Sequence, residues 1–260
     1  MITSLQNNQI KTARKLKERR QRYAEGQLLL EGLHLVEDAW RSGVEPLQVF
    51  YTLEARQQNH EVESLLATFE HANIALLPCT EAAFASLTET VTPQGIAAVV
   101  PLPQLPIPPQ PGLILILDGV RDPGNAGTLL RSAEAAGVEL VIFGPGTVDP
   151  FNDKVLRSGM GAHFRLPLRV CSVWSQVEAL IPTHLSLYLA EATAPLDYAA
   201  VDWRVPAGLV VGGEAAGAGA EMRQNAHPIA IPMQGKTESL NAAMAGTVIL
   251  FEVARQRRTQ

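Results

Sequence analysis

Cysteine is scarce. Two stand in 260 residues, Cys79 and Cys171, far apart in the chain. That excludes a disulfide framework and a cysteine-based metal site, and predicts two reduced, buried thiols. No apolar run reaches the ~18 residues that a membrane-spanning helix needs. The opening "MITSLQNNQIKTARKLKERR" is polar and basic and lacks the apolar centre of a secretion signal. Its Arg and Lys content also fits a transit peptide, but the helix-like pattern that follows makes this the weaker reading. These absences predict a soluble, cytoplasmic protein with no membrane partner. No internal repeat is visible.

Charge is unevenly spread. The net charge is −5, which argues against nonspecific coating of long nucleic acid. Yet residues 1–26 hold Lys11, Arg14, Lys15, Lys17, Arg19, Arg20 and Arg22 against Glu18 and Glu25. Arg255, Arg257 and Arg258 close the chain. Such a run is either a solvated helix face or a local arm that grips phosphates.

The clearest boundary is "PLPQLPIPPQPG", with six prolines. Proline breaks helices and central strands and stiffens a spacer. The expected division is a small α/β domain over 1–100, a linker over 101–111 and a larger domain over 112–260. The first domain carries no acid pair, metal cluster or nucleophile with a base, so it reads as a binding domain. A basic helix, "QLLLEG" as a strand, "LHLVEDAWRSG" as a helix, "LQVFYT" as a strand and "HEVESLLATFEHA" as a helix are expected there. "NIALLPC" and "GIAAVV" read as further strands. The second domain alternates apolar strands with helices, which predicts a parallel sheet covered on both faces. Its last helix is expected over "ESLNAAMAGTVILFEVARQR".

Three loops of the second domain carry the chemistry. "LILILDGVRDPGNAGTLLRSAEAAG" reads as a buried strand, a glycine-bearing loop and a helix. It has no Lys for a P-loop and no GxGxxG for a dinucleotide. Asn125 reads either as a helix cap or as a functional group. Arg131 stands alone in a small, apolar helix, and it needs either an ion-pair partner or a phosphate. "VVGGEAAGAGAEM" places Gly212 and Gly213 before Glu214, where a ligand can approach the backbone closely. "IAIPMQGKTESLNAAMAG" ends a strand near Pro232. Ser239 reads as a helix cap, and Asn241 has no obvious structural need.

In this order, the three stretches resemble the three motifs of the SpoU-type RNA 2′-O-ribose methyltransferases of the SPOUT superfamily. The first matches from Asn125 to Arg131, the second as Gly212-Gly213-Glu214 with Gly217. The third matches as Ile231-Pro232-Met233 with Ser239-Leu240-Asn241. The resemblance covers residues 112–258 and includes the segment around Lys154 and Arg157. The N-terminal domain is similar to the family's ribosomal-protein-like substrate-binding domain, through "LLLEGLHLVEDA" and "TPQGIAAVV". Two positions depart from the pattern: Gly159, where many relatives have Ser, and Ala215, where many have Gly.

The resemblance implies an α/β fold with a deep trefoil knot, a homodimer with the site near its interface, and S-adenosylmethionine (SAM) as cofactor. It places Gly212, Gly213, Ile231, Met233 and Leu240 around SAM, with no metal required. The substrate implied is RNA and not DNA, ribosomal RNA ahead of tRNA, because relatives with this N-terminal domain more often act there. Arg131, Asn125, Glu214 and Asn241 form the implied catalytic set. The family's matching arginine has been assigned the role of base. A guanidinium is too weak an acid to lose its proton at ordinary pH, so Arg131 is expected to bind the adjacent RNA phosphate and stabilise developing alkoxide charge. Asn125 and Asn241 would fix geometry, and Glu214 would orient Arg or ribose. Lys11, Arg14, Lys15, Arg19, Lys154 and Arg157 are the expected RNA contacts. The rival readings are a non-catalytic RNA-binding assembly factor and a small-molecule α/β enzyme. The intact polar motif residues and the basic N-terminal domain argue against them in turn.

Overall fold

The computed structural model describes residues 1–90, 92–214 and 216–258; Ala215 lies outside the described residues. Chain contacts divide it into two compact units: Met1–Pro103 with Phe151–Asp153, and Gln104–Pro150 with the chain from Lys154 on.

The first unit opens with two helices, α1 (Asn8–Lys15) and α2 (Arg19–Glu25), in place of the single basic helix expected. The reason lies in Arg22. Its side chain is buried, and its guanidinium donates to the Leu16 and Lys17 carbonyls at 3.1 and 2.6 Å. Those carbonyls at the end of α1 thereby gain the partners that a helix terminus lacks. Next come β1 (Gln27–Glu31), α3 (Leu33–Arg41), β2 (Gln48–Thr52), α4 (Leu53–Gln58) and α5 (His60–His71). β3 (Leu76–Cys79), α6 (Glu81–Ala85) and β4 (Ile96–Pro101) complete the unit. The sheet order is β1-β4-β2-β3, with only β2 and β3 parallel. Ile10, Phe50, Phe84 and Val99 are packed in one buried cluster of this unit.

The second unit follows the expected alternation. It contains β5 (Leu113–Asp118), α7 (Pro123–Ala135), β6 (Leu140–Phe143), α8 (Asp153–Gly159), β7 (Leu168–Val170) and α9 (Trp174–Glu178). β8 (Ser186–Ala190), β9 (Leu196–Asp197), β10 (Ala207–Gly212), α10 (Ala220–Asn225), β11 (His227–Ala230) and α11 (Ala242–Arg258) follow. All seven strands are parallel, in the order β7-β6-β5-β10-β8-β11-β9. β5 sits inside the sheet and is buried on both faces from Leu113 to Leu117, which is why it reads as an unbroken apolar run. α7 and α11 pack together: the Ser132 and Thr247 hydroxyls meet at 2.8 Å, and Gly246 leaves room for Leu129.

Of the two readings of Asn125 the cap falls away, and the expected cap at Ser239 is corrected. Asp122, not Asn125, caps α7, accepting from the Asn125 N–H at 2.7 Å, with Pro123 in the first turn. Asn241, not Ser239, caps α11: its Oδ1 accepts from Ala243 and Met244 N–H at 2.9 and 3.2 Å. The last helix accordingly starts at Ala242, and "ESLN" is loop. Asn241 therefore has a structural role.

Parallel strands place their carboxyl ends on one edge of the sheet, where open α/β sheets bind ligands. The loops after β5, β8, β10 and β11 all leave from that edge.

Candidate active site

Asn125 is free to face outward because Asp122 performs the capping. Its Nδ2 donates to Glu214 Oε1 at 2.7 Å, and its Oδ1 accepts from Asn241 Nδ2 at 3.0 Å. Glu214 Oε2 also accepts from the Arg121 N–H at 3.4 Å. The start of α7, the turn after β10 and the start of α11 are thus joined by one line of side-chain hydrogen bonds. Burial pushes the Glu214 carboxyl up. Hydrogen bonds from Asn125 and from the N–H groups of residues 214, 121 and 122 outweigh that and hold it below its ordinary value. Glu214 stands as a carboxylate, fixing which end of the Asn125 amide points at it.

The turn after β10 is tightly folded. Gly213 and Gly217 exchange backbone hydrogen bonds at 3.1 and 2.9 Å. A Cβ on Gly213 would collide with the Gly119 carbonyl, and one on Gly212 with the Ala218 backbone. Asp118, at the end of β5, accepts from the Gly219 N–H at 2.7 Å. Burial pushes the Asp118 carboxyl up, the Gly219 bond opposes this, and Glu221 adds a smaller upward push.

A pocket of about 460 Å³ opens beside this turn. Gly212, Gly213, Ile231, Met233 and Leu240 all line it, together with Glu214 and Asn241. The remaining wall is largely apolar, including Leu189, Val211, Ile229 and Ile249. Its size suits a small molecule. An apolar wall beside a bare glycine backbone, with carboxylates at the rim, fits SAM: a flat heterocycle joined to a charged tail.

Arg131 lies two turns along α7 from Asn125. It is exposed, and among the described residues no hydrogen bond or ion pair engages its side chain. In particular, Glu214 is not bonded to Arg131. Lys154 and Arg157 are on α8, which lies beside the start of α7 through the Ser158 hydroxyl bond to the Pro123 carbonyl at 3.2 Å. In the first unit, Arg14, Lys15 and Arg19 are exposed and Lys11 is half-buried. Lys17 is committed elsewhere, its Nζ donating to the Ser86 and Thr88 carbonyls at 3.4 and 2.9 Å.

Sequence reasoning missed two pocket residues, Glu191 and Arg223, which form an ion pair at its rim. They are 32 positions apart on different elements, and neither belongs to a motif.

Residues 112–251 match the SpoU rRNA Methylase family, and residues 7–98 match the MRM3-like substrate binding domain. The 23S rRNA (guanosine(2553)-2'-O)-methyltransferase RlmP of Bacillus subtilis (strain 168) is 34% identical over 253 residues, spanning 97% of this chain and 98% of its own. The AdoMet-bound rRNA methyltransferase of Sinorhizobium meliloti superposes with a TM-score of 0.82 at 30% identity, over 98% of this chain and 97% of its own. The SpoU methyltransferase AviRb of Streptomyces viridochromogenes, in complex with AdoMet, gives a TM-score of 0.82 at 26% identity, over 98% and 100%.

Proposed function

The chain belongs to the SpoU rRNA methylase family, and from that premise we propose that it transfers the methyl group of SAM to a ribose 2′-oxygen in ribosomal RNA. The observation that carries this reading is the line Glu214–Asn125–Asn241, whose two ends, Glu214 and Asn241, line the 460 Å³ pocket. Polar groups from the start of α7, the turn after β10 and the start of α11 are thereby joined beside a largely apolar cavity. SAM, when bound, supplies an electrophilic methyl group on a sulfonium.

The chain's own residues do the positioning. Asn125 and Asn241 are locked by their mutual bond and by Glu214, so they hold an incoming ribose without rearranging. The Arg131 side chain has no hydrogen-bond or ion-pair partner among the described residues, so its fork is open to the RNA phosphate next to the reacting sugar. It stabilises charge growing on the 2′-oxygen, and the proton leaves to phosphate or water. Lys154 and Arg157 extend this cationic side. The domain over 1–100 selects the RNA through Lys11, Arg14, Lys15 and Arg19. DNA lacks the 2′-hydroxyl and is not a substrate.

The working form is a homodimer in the cytoplasm, with the trefoil knot of the family in the domain over 112–260. Support for the dimer comes from α11, where Met244, Val248 and Phe251 are 56, 37 and 46% exposed on one face. A second copy of the chain covers that stripe. No helix among the described residues is long and apolar enough to cross a membrane.

The reading is tested by incubating the chain with methyl-labelled SAM and ribosomal RNA, then digesting the RNA to nucleosides. Label in a 2′-O-methylated nucleoside is expected. Label on a base, on tRNA only, or on nothing refutes it.

A further inference from the structure

The Glu191–Arg223 pair stands in the pocket, yet the methyl transfer just described does not use it. Arg223 lies on α10 and performs two tasks. Its Nε donates to the Ala218 carbonyl at 3.1 Å, and its Nη1 meets the Glu191 carboxylate. Nη2 lies against Gly217, 2.6 Å from where a Cβ there would be. Residues 217 and 218 close the turn that presents Gly212, Gly213 and Glu214 to the pocket. Glu191 is itself anchored, its N–H donating to the Ile229 carbonyl at 2.9 Å at the exit of β8. One guanidinium therefore ties the glycine turn to the neighbouring strand end.

This arrangement raises an electrostatic difficulty. SAM carries a sulfonium, an ammonium and a carboxylate, so its net charge is one positive. An unpaired guanidinium lining the same pocket would repel it, weakly screened because both are partly desolvated. Glu191 cancels that charge where it stands.

Resting on the SAM-binding reading above, we propose that Arg223 is a positioning residue for the glycine turn and that Glu191 is the counter-charge that keeps Arg223 from repelling the cationic cofactor. The two residues then have different signatures. Losing Arg223 loosens the turn and weakens any ligand of the pocket. Losing only the charge of Glu191 weakens cationic SAM more than neutral S-adenosylhomocysteine (SAH), which lacks the sulfonium.

Calorimetric titration of the full chain with SAM and with SAH tests this. Wild-type binding of neither ligand would sink the SAM reading itself. With that binding in place, Glu191→Gln is expected to weaken SAM about tenfold and SAH about twofold, a difference that loss of shape does not produce. Arg223→Met is expected to weaken both about fivefold. The double variant is expected to match Arg223→Met, because no cation remains to repel. Arg223→Lys keeps the charge but not the fork and is expected to weaken both about threefold. Equal losses of SAM and SAH in Glu191→Gln, or unchanged affinities in Arg223→Met, overturn the proposal.

Discussion

The Asn241 amide donates to the Asn125 carbonyl oxygen at 3.0 Å, joining residues 116 positions apart. Each is locked from its other side, Asn241 by capping α11 and Asn125 by Glu214. This fixes the amide orientation of Asn125 without reference to any ligand. Asn125→Asp keeps the shape but replaces the donor that faces Glu214 with an acceptor. Two carboxylates would then confront each other. Methyl transfer at saturating SAM is expected to fall about 100-fold, the usual cost of losing one oriented polar group. The Glu214 pKa, followed by carboxyl NMR, is expected to rise in the same variant, because its bond from Asn125 is gone and a like charge has arrived. Unchanged activity would remove Asn125 from the reacting site.

Arg131 separates two kinds of role cleanly. Its side chain has no hydrogen-bond or ion-pair partner among the described residues, so its substitution removes no internal polar interaction. Arg131→Ala is expected to leave urea stability within about 0.5 kcal/mol and to lower methyl transfer by about 100- to 1000-fold. Arg131→Lys is expected to recover little, because an ammonium cannot present the planar fork. Near-full activity in the lysine variant would rule out bidentate phosphate recognition.

The seven N-terminal cations divide by their contacts. Arg22 and Lys17 serve backbone carbonyls, whereas Arg14 and Lys15 are exposed and Arg19, also exposed, lies over the Tyr23 ring. Reversing Lys11, Arg14 and Lys15 to Glu together is expected to weaken rRNA binding and flatten its log–log salt slope by about two to three. SAM affinity is expected to stay unchanged. Equal loss of both would contradict a separate RNA-binding domain. Arg22→Met is expected to act the other way, lowering stability by about 1–3 kcal/mol through the carbonyls it strands.

Much of this was legible in the sequence, for physical reasons. "LILILD" could only be a strand buried on both faces, and a helix after the glycine-bearing loop was plain, although its start lies at Pro123, two residues before Asn125. What was hidden depended on geometry across the chain. β7 and β9 span three and two residues, too short to display a period. That Asn241 and not Ser239 caps α11 turned on where the helix begins, which depends on packing against α7. Arg22 looked like one more surface cation until the break after α1 made its burial useful. Glu191 and Arg223 meet only because α10 packs beside the end of β8.

The stripe on α11 predicts an assembly. Val248→Asp combined with Phe251→Asp is expected to convert a dimer to a single chain in light scattering. An unchanged mass in both proteins would refute that interface.

Gly159 lies against the buried ring of His163. A Cβ at Gly159 would stand 2.5 Å from the His163 ring carbon Cε1, so the imidazole fills the space that a serine would occupy. His163 is fully buried, and its Nε2 donates to the Pro150 carbonyl at 2.8 Å. Burial is the main influence and drives its pKa down to about 4, against a smaller upward pull from that carbonyl and from Asp149. The unfolded histidine takes up a proton near its ordinary value of 6.5, the folded one only near 4. The folded state therefore loses ground as pH falls from 6.5 to 4, by up to about 3 kcal/mol, and keeps its full stability above that window. Urea midpoints across this range are expected to show the decline in the wild type and its loss in His163→Ala. Gly159→Ser is expected to cost about 1–3 kcal/mol through overpacking. Adding His163→Ala removes the obstructing ring, so the double variant is expected to lose less than the sum of the two single losses. Additive losses would show that Gly159 and His163 do not share this space.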